Sequence, residues 1–269
     1  MIRFAALVYE KGLQNRSVDG INLYTYASSY LSGFLSMVAF SSGQLRDDGA
    51  NAYYVFESNV PDDLDDSNNT ASLRNQPLPV NMDSAVFGSY LHLGRYYAAK
   101  GDAVNAQKYK SLSARHLNWL RSGSKNQNSS GVALFETRIQ SNGTSYLVWR
   151  YSTYSTRMER IGHSNLTYRY MYDAYLLGQV TITEKVRLEN TFLRIDSPIL
   201  QGLNGATARV YLDGSQASAD SSHTSFYLPL AVRYRATMAT SAIPIAKHFD
   251  GKTGLFYFGA LALSYSRGL

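Results

Sequence analysis

The chain reads as a mainly α fold built of helical hairpins, interrupted by one β-hairpin and by long polar loops. Three observations predict it. Apolar residues recur at helical spacing over most of the 269 residues. Short Gly-containing turns separate some of these segments, as at Lys100-Gly101-Asp102, which marks an antiparallel helix pair. One stretch, residues 132–151, switches to extended runs around Asn142-Gly143, a hairpin turn signal.

The first helix is expected over residues 2–13. A second, over 21–41, carries Tyr24, Ala27, Leu31, Phe34 and Val38 at helical spacing, and Gly43 ends it. The stretch from Ser58 to Asn81 holds Pro61, Pro77, Pro79 and an acidic cluster, and reads as a long loop. Asp83 or Ser84 is then expected to cap a helix over 84–100. Residues 103–121 form its partner, with Ala106, Tyr109, Leu112, His116 and Leu120 on one side. After the β-hairpin, Ser164 or Asn165 is expected to cap a helix over 165–178, followed by a weaker amphipathic helix over 183–194. A short strand is expected at Ala208–Leu212, and helices over 224–239 and 253–266, with Pro229 at a helix start or kink. About eight helices arise, several paired, with irregular excursions between pairs and no fixed repeat period. This combination resembles an α/α-toroid, a ring of helical hairpins with the excursions on one rim. A complete six-hairpin ring takes more chain, so we expect one domain over 1–269 forming an incomplete or small ring, truncated at its N-terminus.

Apolar residues make up 45% of the chain, enough for a sizeable core, while charged residues are only 17%. The excess is in tyrosine, 22 residues, which suits helix interfaces and also carbohydrate surfaces, because the ring is apolar and the hydroxyl polar. Glu57, Asp62, Asp63, Asp65 and Asp66 concentrate acid in one loop. Setting them aside leaves 26 bases against 15 acids, a balance of +11 on the rest. A basic body favours an anionic partner. Without Lys/Arg runs or a nucleic-acid motif, no nucleic acid is expected, and an anionic polysaccharide or oligosaccharide fits the interleaved Arg and Tyr better. The absence of cysteine excludes disulfides and thiol catalysis. No segment is apolar for long enough to span a membrane. The N-terminus, MIRFAALVYEKGL, lacks a signal-peptide core, so a secreted or periplasmic location would need an export signal upstream.

The densest gathering of chemistry is SYLVWRYSTYSTRMERIGHSNLTYRYMYDAYLLG, residues 145–178. It brings Trp149, Arg150, Tyr151, Tyr154, Arg157, Glu159, Arg160 and His163 around one connection. His163 suits a general base, an orienting group for a sugar carboxylate, or a helix cap. Glu159 is the single acid there. The flanking Arg157 and Arg160 are expected to lower its pKa and favour an ion pair. With Asp213, in LDGS, it would make the acid pair of a hydrolase, although an Asp-Gly turn explains Asp213 equally well. No cofactor is implied. No metal is expected either: no His/Asp/Glu spacing matches a zinc site, and Asp62–Asp66 lacks the alternation of a calcium loop.

Three pieces carry a family resemblance. LPVNMDSAVFGSYLHLGRYYAAKGDAVNAQKYKSLSARHLNWL, from Leu78 to Leu120, resembles a toroid hairpin opened by a polar loop. YLVWRY followed by ERIGHSNLTYRYMYDAYLLG is similar to a W-x-Y … E-(D)-x-(S/G)-H-(A/S) pattern that precedes an inner helix, and VYLDGSQASADSSHTSFYLPLA is similar to a further rim excursion. Together they resemble the six-hairpin carbohydrate-active proteins, a group of glycoside hydrolases, polysaccharide lyases and uronyl epimerases. The chain departs from the pattern at Arg160, where an acid is often found, and lacks the Asn-Asn-His-Ser-Tyr lyase signature.

The resemblance implies a polysaccharide lyase acting on a uronate-containing polymer by β-elimination. A glycoside hydrolase on the same scaffold, or a non-catalytic glycan- or protein-binding module, are the alternatives. It implies His163, Tyr168, Tyr151 and Glu159 as catalytic groups, with Tyr154 and Tyr172 nearby. Asn81, Trp149, Arg150, Arg157, Arg160, Asp213 and His223 would bind substrate.

Overall fold

The computed structural model describes residues 2–57, 75–121, 133–193, 208–215, 217 and 218. The chain divides into two compact units, Met1–Val132 and Ala133–Leu269. Among the described residues it is mainly helical, with six α-helices and four small antiparallel two-stranded sheets.

The first unit opens with α1 (Ile2–Glu10), which buries Ile2, Ala5, Ala6 and Val8, and a tight hairpin of β1 (Ser17–Val18) and β2 (Ile21–Asn22). Helix α2 (Leu23–Phe40) starts where the Asn22 side chain accepts from the Thr25 N–H at 2.9 Å, satisfying one donor of the first turn. A second hairpin follows, β3 (Leu45–Asp47) with β4 (Ala52–Tyr54). Then come two long helices, α3 (Val80–Ala99) and α4 (Ala103–Arg121), the pair expected around the Gly101 turn. Gly101 sits at φ +78°, where a side chain would be strained, and Asp102 caps α4 by accepting from the Asn105 N–H at 3.0 Å. The helices pack so closely that a Cβ on Gly94 would lie 3.2 Å from the Ala106 carbonyl oxygen. Helix α1 lies against α3, where Tyr9 meets Tyr96 edge-on at 4.7 Å and Arg95 donates to Glu10 at 2.6 Å.

The second unit opens on the expected β-hairpin, β5 (Phe135–Ile139) with β6 (Ser145–Trp149) around Asn142-Gly143. Helix α5 (Ile161–Leu176) and helix α6 (Ile182–Leu193) form a second helical pair, turning at Gly178 with φ +74°. Thr181 and Glu184 cap α6 reciprocally, at 2.9 Å and 3.2 Å. Helix α6 covers β6, and the Thr191 hydroxyl both accepts from the Leu147 N–H at 3.0 Å and donates to the Leu147 carbonyl. The strand pair β7 (Ala208–Arg209) and β8 (Ala217–Ser218) completes the described part. Each unit thus repeats one order: β-hairpin, connection, helix, glycine turn, helix. The helices expected over 224–239 and 253–266, with Pro229, lie outside the described residues.

Two helix starts differ from expectation, both for the same physical reason. Helix α3 begins at Val80 with Pro79 as its N-cap, so Asn81 leaves the expected loop and Asp83 and Ser84 lie inside the helix, buried. A bridge between Val55 and Pro77 fixes the entry, and the Asp83 carboxylate accepts from the Tyr54 N–H at 3.0 Å rather than capping. Helix α5 begins at Ile161, so Ser164 and Asn165 also fall inside. Their side chains donate back to the Ile161 and Gly162 carbonyls, at 2.6 Å and 3.0 Å. In both cases pairing with a β segment sets the helix start and overrides the local capping preference.

Candidate functional site

The connection between β6 and α5 folds back on itself as a second, irregular hairpin. The Glu159 N–H donates to the Trp149 carbonyl at 2.8 Å, and the Tyr151 N–H to the Arg157 carbonyl at 3.1 Å. On its other side the segment is clamped by residues 210–212: the Ile161 N–H donates to the Val210 carbonyl at 2.8 Å, and the Leu212 N–H to the Glu159 carbonyl at 3.1 Å. The sequence cluster is therefore a spatial one along the backbone. Trp149, Arg150, Tyr151, Arg157, Glu159, Arg160 and His163 all belong to this doubled-back segment and the first turn of α5.

Glu159 is fully buried. One carboxylate oxygen accepts from the Arg160 N–H at 3.0 Å, and the other has no hydrogen-bond partner among the described residues. Burial pushes the carboxyl well above its ordinary range, while the Arg160 N–H and the Arg160 charge pull it down more weakly. This corrects the expectation that flanking arginines lower it: desolvation outweighs them. His163, expected just ahead of a helix, sits inside the first turn of α5, four residues on from Glu159. Its Nδ1 lies 3.7 Å from a Glu159 carboxylate oxygen, and its side chain is 48% exposed. That distance is too long for a hydrogen bond. The Tyr151 ring stands beside the imidazole, centroids 6.2 Å apart.

Other expected groups fall elsewhere. Trp149 is fully buried against Phe135, ring centroids 5.6 Å apart, so it cannot stack on a sugar. Helix α6 covers β6, and Tyr146 through Val148 are buried with it, on both faces of the strand. Tyr168 is buried within α5, stacked on Tyr172 at 6.5 Å, and does not reach a solvent-facing substrate. The Asp213 carboxylate accepts from the Ser215 N–H at 3.0 Å and Oγ at 2.6 Å and lies 3.7 Å from an Arg138 guanidinium nitrogen. It holds its own turn, and the paired-acid arrangement draws no support from it. Arg157 is exposed, Arg160 is half-buried, and Arg150 donates to the Thr156 carbonyl at 3.3 Å. Asn81 is buried in α3 of the first unit. His223 and the Asp62–Asp66 cluster lie outside the described residues.

The structure adds groups that sequence reasoning missed. The hydroxyls of Ser152 and Thr153, on the doubled-back segment, and of Thr167, in α5, are buried and without hydrogen-bond partners among the described residues. Buried polar atoms are ordinarily bonded to protein or water, and Asp83 and Ser84 of the first unit hold others of the same kind, so these hydroxyls do not by themselves make a site. Only burial distinguishes these three from the many other Ser and Thr residues of the chain, and burial is not written locally in a sequence.

Among the described residues no group of three or more His, Cys, Asp or Glu could hold a metal ion, and no helix is long and apolar enough to cross a membrane. Comparison with family models, curated proteins and solved structures finds no match.

Proposed function

We propose that this protein is a carbohydrate-active enzyme, a polysaccharide lyase that cleaves a uronate-containing polymer by β-elimination on an incomplete or small α/α-toroid. The observation that carries the reading is the pairing of a half-exposed histidine with a buried carboxyl, whose pKa burial raises, at the start of α5. The repeat of β-hairpin and helical pair in each unit supports the scaffold.

In the elimination, His163 removes the proton at C5, next to the uronic carboxylate. The C–H electron pair becomes the C4=C5 double bond, the C4–O bond breaks, and the departing oxygen takes a proton from the Tyr151 hydroxyl. No water is consumed. Arg157 and Arg160 hold the substrate carboxylate and stabilise charge as it spreads onto that group. Glu159 stands 3.7 Å from the imidazole and neither gives nor takes a proton in the step.

The test is incubation with alginate, pectin and glycosaminoglycan panels, following ultraviolet absorbance of the unsaturated product. The expected result is absorbance that grows with time and is lost in His163→Ala. New reducing ends without unsaturation would make the protein a hydrolase, and saturable binding without turnover would make it a binding module. Either outcome, or full elimination by His163→Ala, overturns the proposal.

A further inference from the structure

Helix α2 carries no charged residue along its 18 positions, yet it buries only Ala27 and Leu31. Its outer side presents Tyr26 at 41%, Tyr30 at 44%, Met37 at 48% and Phe40 at 81% exposure, with Gly33 exposed between them. Thr25, Ser29, Ser32 and Ser36 are exposed beside them, so the outer side is uncharged and mixed, with its large apolar groups confined to one stripe of the kind that ordinarily packs on something. The spacing of Tyr26, Tyr30, Gly33, Met37 and Phe40 alternates four and three, the period of a helix–helix seam. The seam is also close to symmetric about its centre: an aromatic stands seven residues before Gly33 and another seven residues after it. Gly33 has no local reason to be glycine. No atom of the described residues lies within 4 Å of where its Cβ would stand, and glycine in a helix interior costs about 1 kcal/mol relative to alanine.

From these features we infer that α2 is a homodimer interface, in which a second copy packs antiparallel across Gly33. A two-fold axis at Gly33 sets Tyr26 against Phe40 of the other copy and Tyr30 against Met37, and the bare glycine lets the two backbones approach. The seam is neutral in a chain of net charge +6, so two copies meet there without like-charge repulsion. At about 200 Å² for a large side chain, the exposed parts of Tyr26, Tyr30, Met37 and Phe40 come to roughly 430 Å² per copy. Two copies then bury ~900 Å², the size of a weak, reversible association.

Analytical ultracentrifugation of the full chain over a range of concentrations tests this. The expected result is a reversible monomer–dimer equilibrium. Phe40→Glu and Met37→Glu abolish the dimer while leaving the circular dichroism spectrum unchanged, because both side chains are exposed. The chain has no cysteine, so Gly33→Cys gives an independent reading: it crosslinks under mild oxidation, whereas Tyr26→Cys, about 10 Å along the axis from the crossing, does not. A monomer at every concentration means that the face is covered within the chain or by another protein, and overturns the inference. So does a dimer insensitive to both glutamate substitutions, or one captured by Tyr26→Cys and not by Gly33→Cys. None of these outcomes depends on the protein being a lyase.

Discussion

His116 offers the sharpest quantitative prediction. Its imidazole is fully buried, lies flat against Phe87 with ring centroids 4.1 Å apart, and donates from Nδ1 to the Ala52 carbonyl at 3.0 Å. It therefore ties α4 to β4, and burial drives its pKa from 6.5 down to about 3. The folded state keeps the ring neutral while the unfolded chain takes a proton below pH 6.5. Stability from this group is complete above pH 6.5 and falls as the pH drops toward 3, by about 1.4 kcal/mol per pH unit. Between pH 7 and pH 5 the loss is about 2 kcal/mol. His116→Gln keeps an N–H donor and removes the titration. It costs about 1–2 kcal/mol at pH 7 through lost ring packing. Urea unfolding of wild type and variant at pH 7, 6 and 5 should show that cost shrinking to near zero at pH 5, since other titrating groups cancel in the difference. A wild-type advantage that stays constant within ~0.5 kcal/mol across that range would refute the reasoning.

Two further outcomes follow from the packing. Glu159 behaves oppositely to His116: its folded pKa is raised, so its stability is complete below the unfolded value of 4.5 and is lost as the pH rises toward the folded pKa. Glu159→Gln, compared with wild type by urea unfolding, should gain in relative stability over that interval by up to about 1.4 kcal/mol per pH unit, and a flat difference would show that Glu159 ionises freely in the folded protein. Gly94→Ala forces α3 and α4 apart against the Ala106 carbonyl and should lower stability by about 1 kcal/mol, whereas a gain of the size expected from helix propensity alone would show that the contact gives way.

The elements most legible in the sequence are those that periodicity and turn chemistry specify locally. Helix α4, the Gly101 turn and the hairpin at Asn142-Gly143 are of this kind. The starts of α3 and α5 were misread because Asp83, Ser84, Ser164 and Asn165 have capping chemistry, while the start is set by Pro77 on one helix and by Val210 on the other. The cluster around Glu159 was legible as a cluster because the chain doubles back there. Its electrostatics were not, since the burial that outweighs Arg160 depends in part on residues 210–212, some fifty positions away in the chain. Trp149 was misread for the same reason: α6, forty residues downstream, covers the strand that carries it.

The repeated order of the two units sharpens the case for chemistry in only one of them. Among the described residues each unit buries a carboxyl at or near the start of the helix that follows its β-hairpin, Asp83 in α3 and Glu159 just before α5. Each carboxyl accepts one backbone N–H, from Tyr54 or from Arg160, each has a second oxygen without a partner among the described residues, and burial holds each above its ordinary pKa. The arrangement is thus a property of the scaffold and does not by itself imply catalysis. The histidines differ. In the first unit His116 is sealed between Phe87 and Trp119 and reaches no solvent. In the second unit His163 stands beside the buried acid with half its surface open. Among the described residues the start of α5 sets a solvent-facing histidine beside its buried acid, and the start of α3, with a similar buried acid, does not.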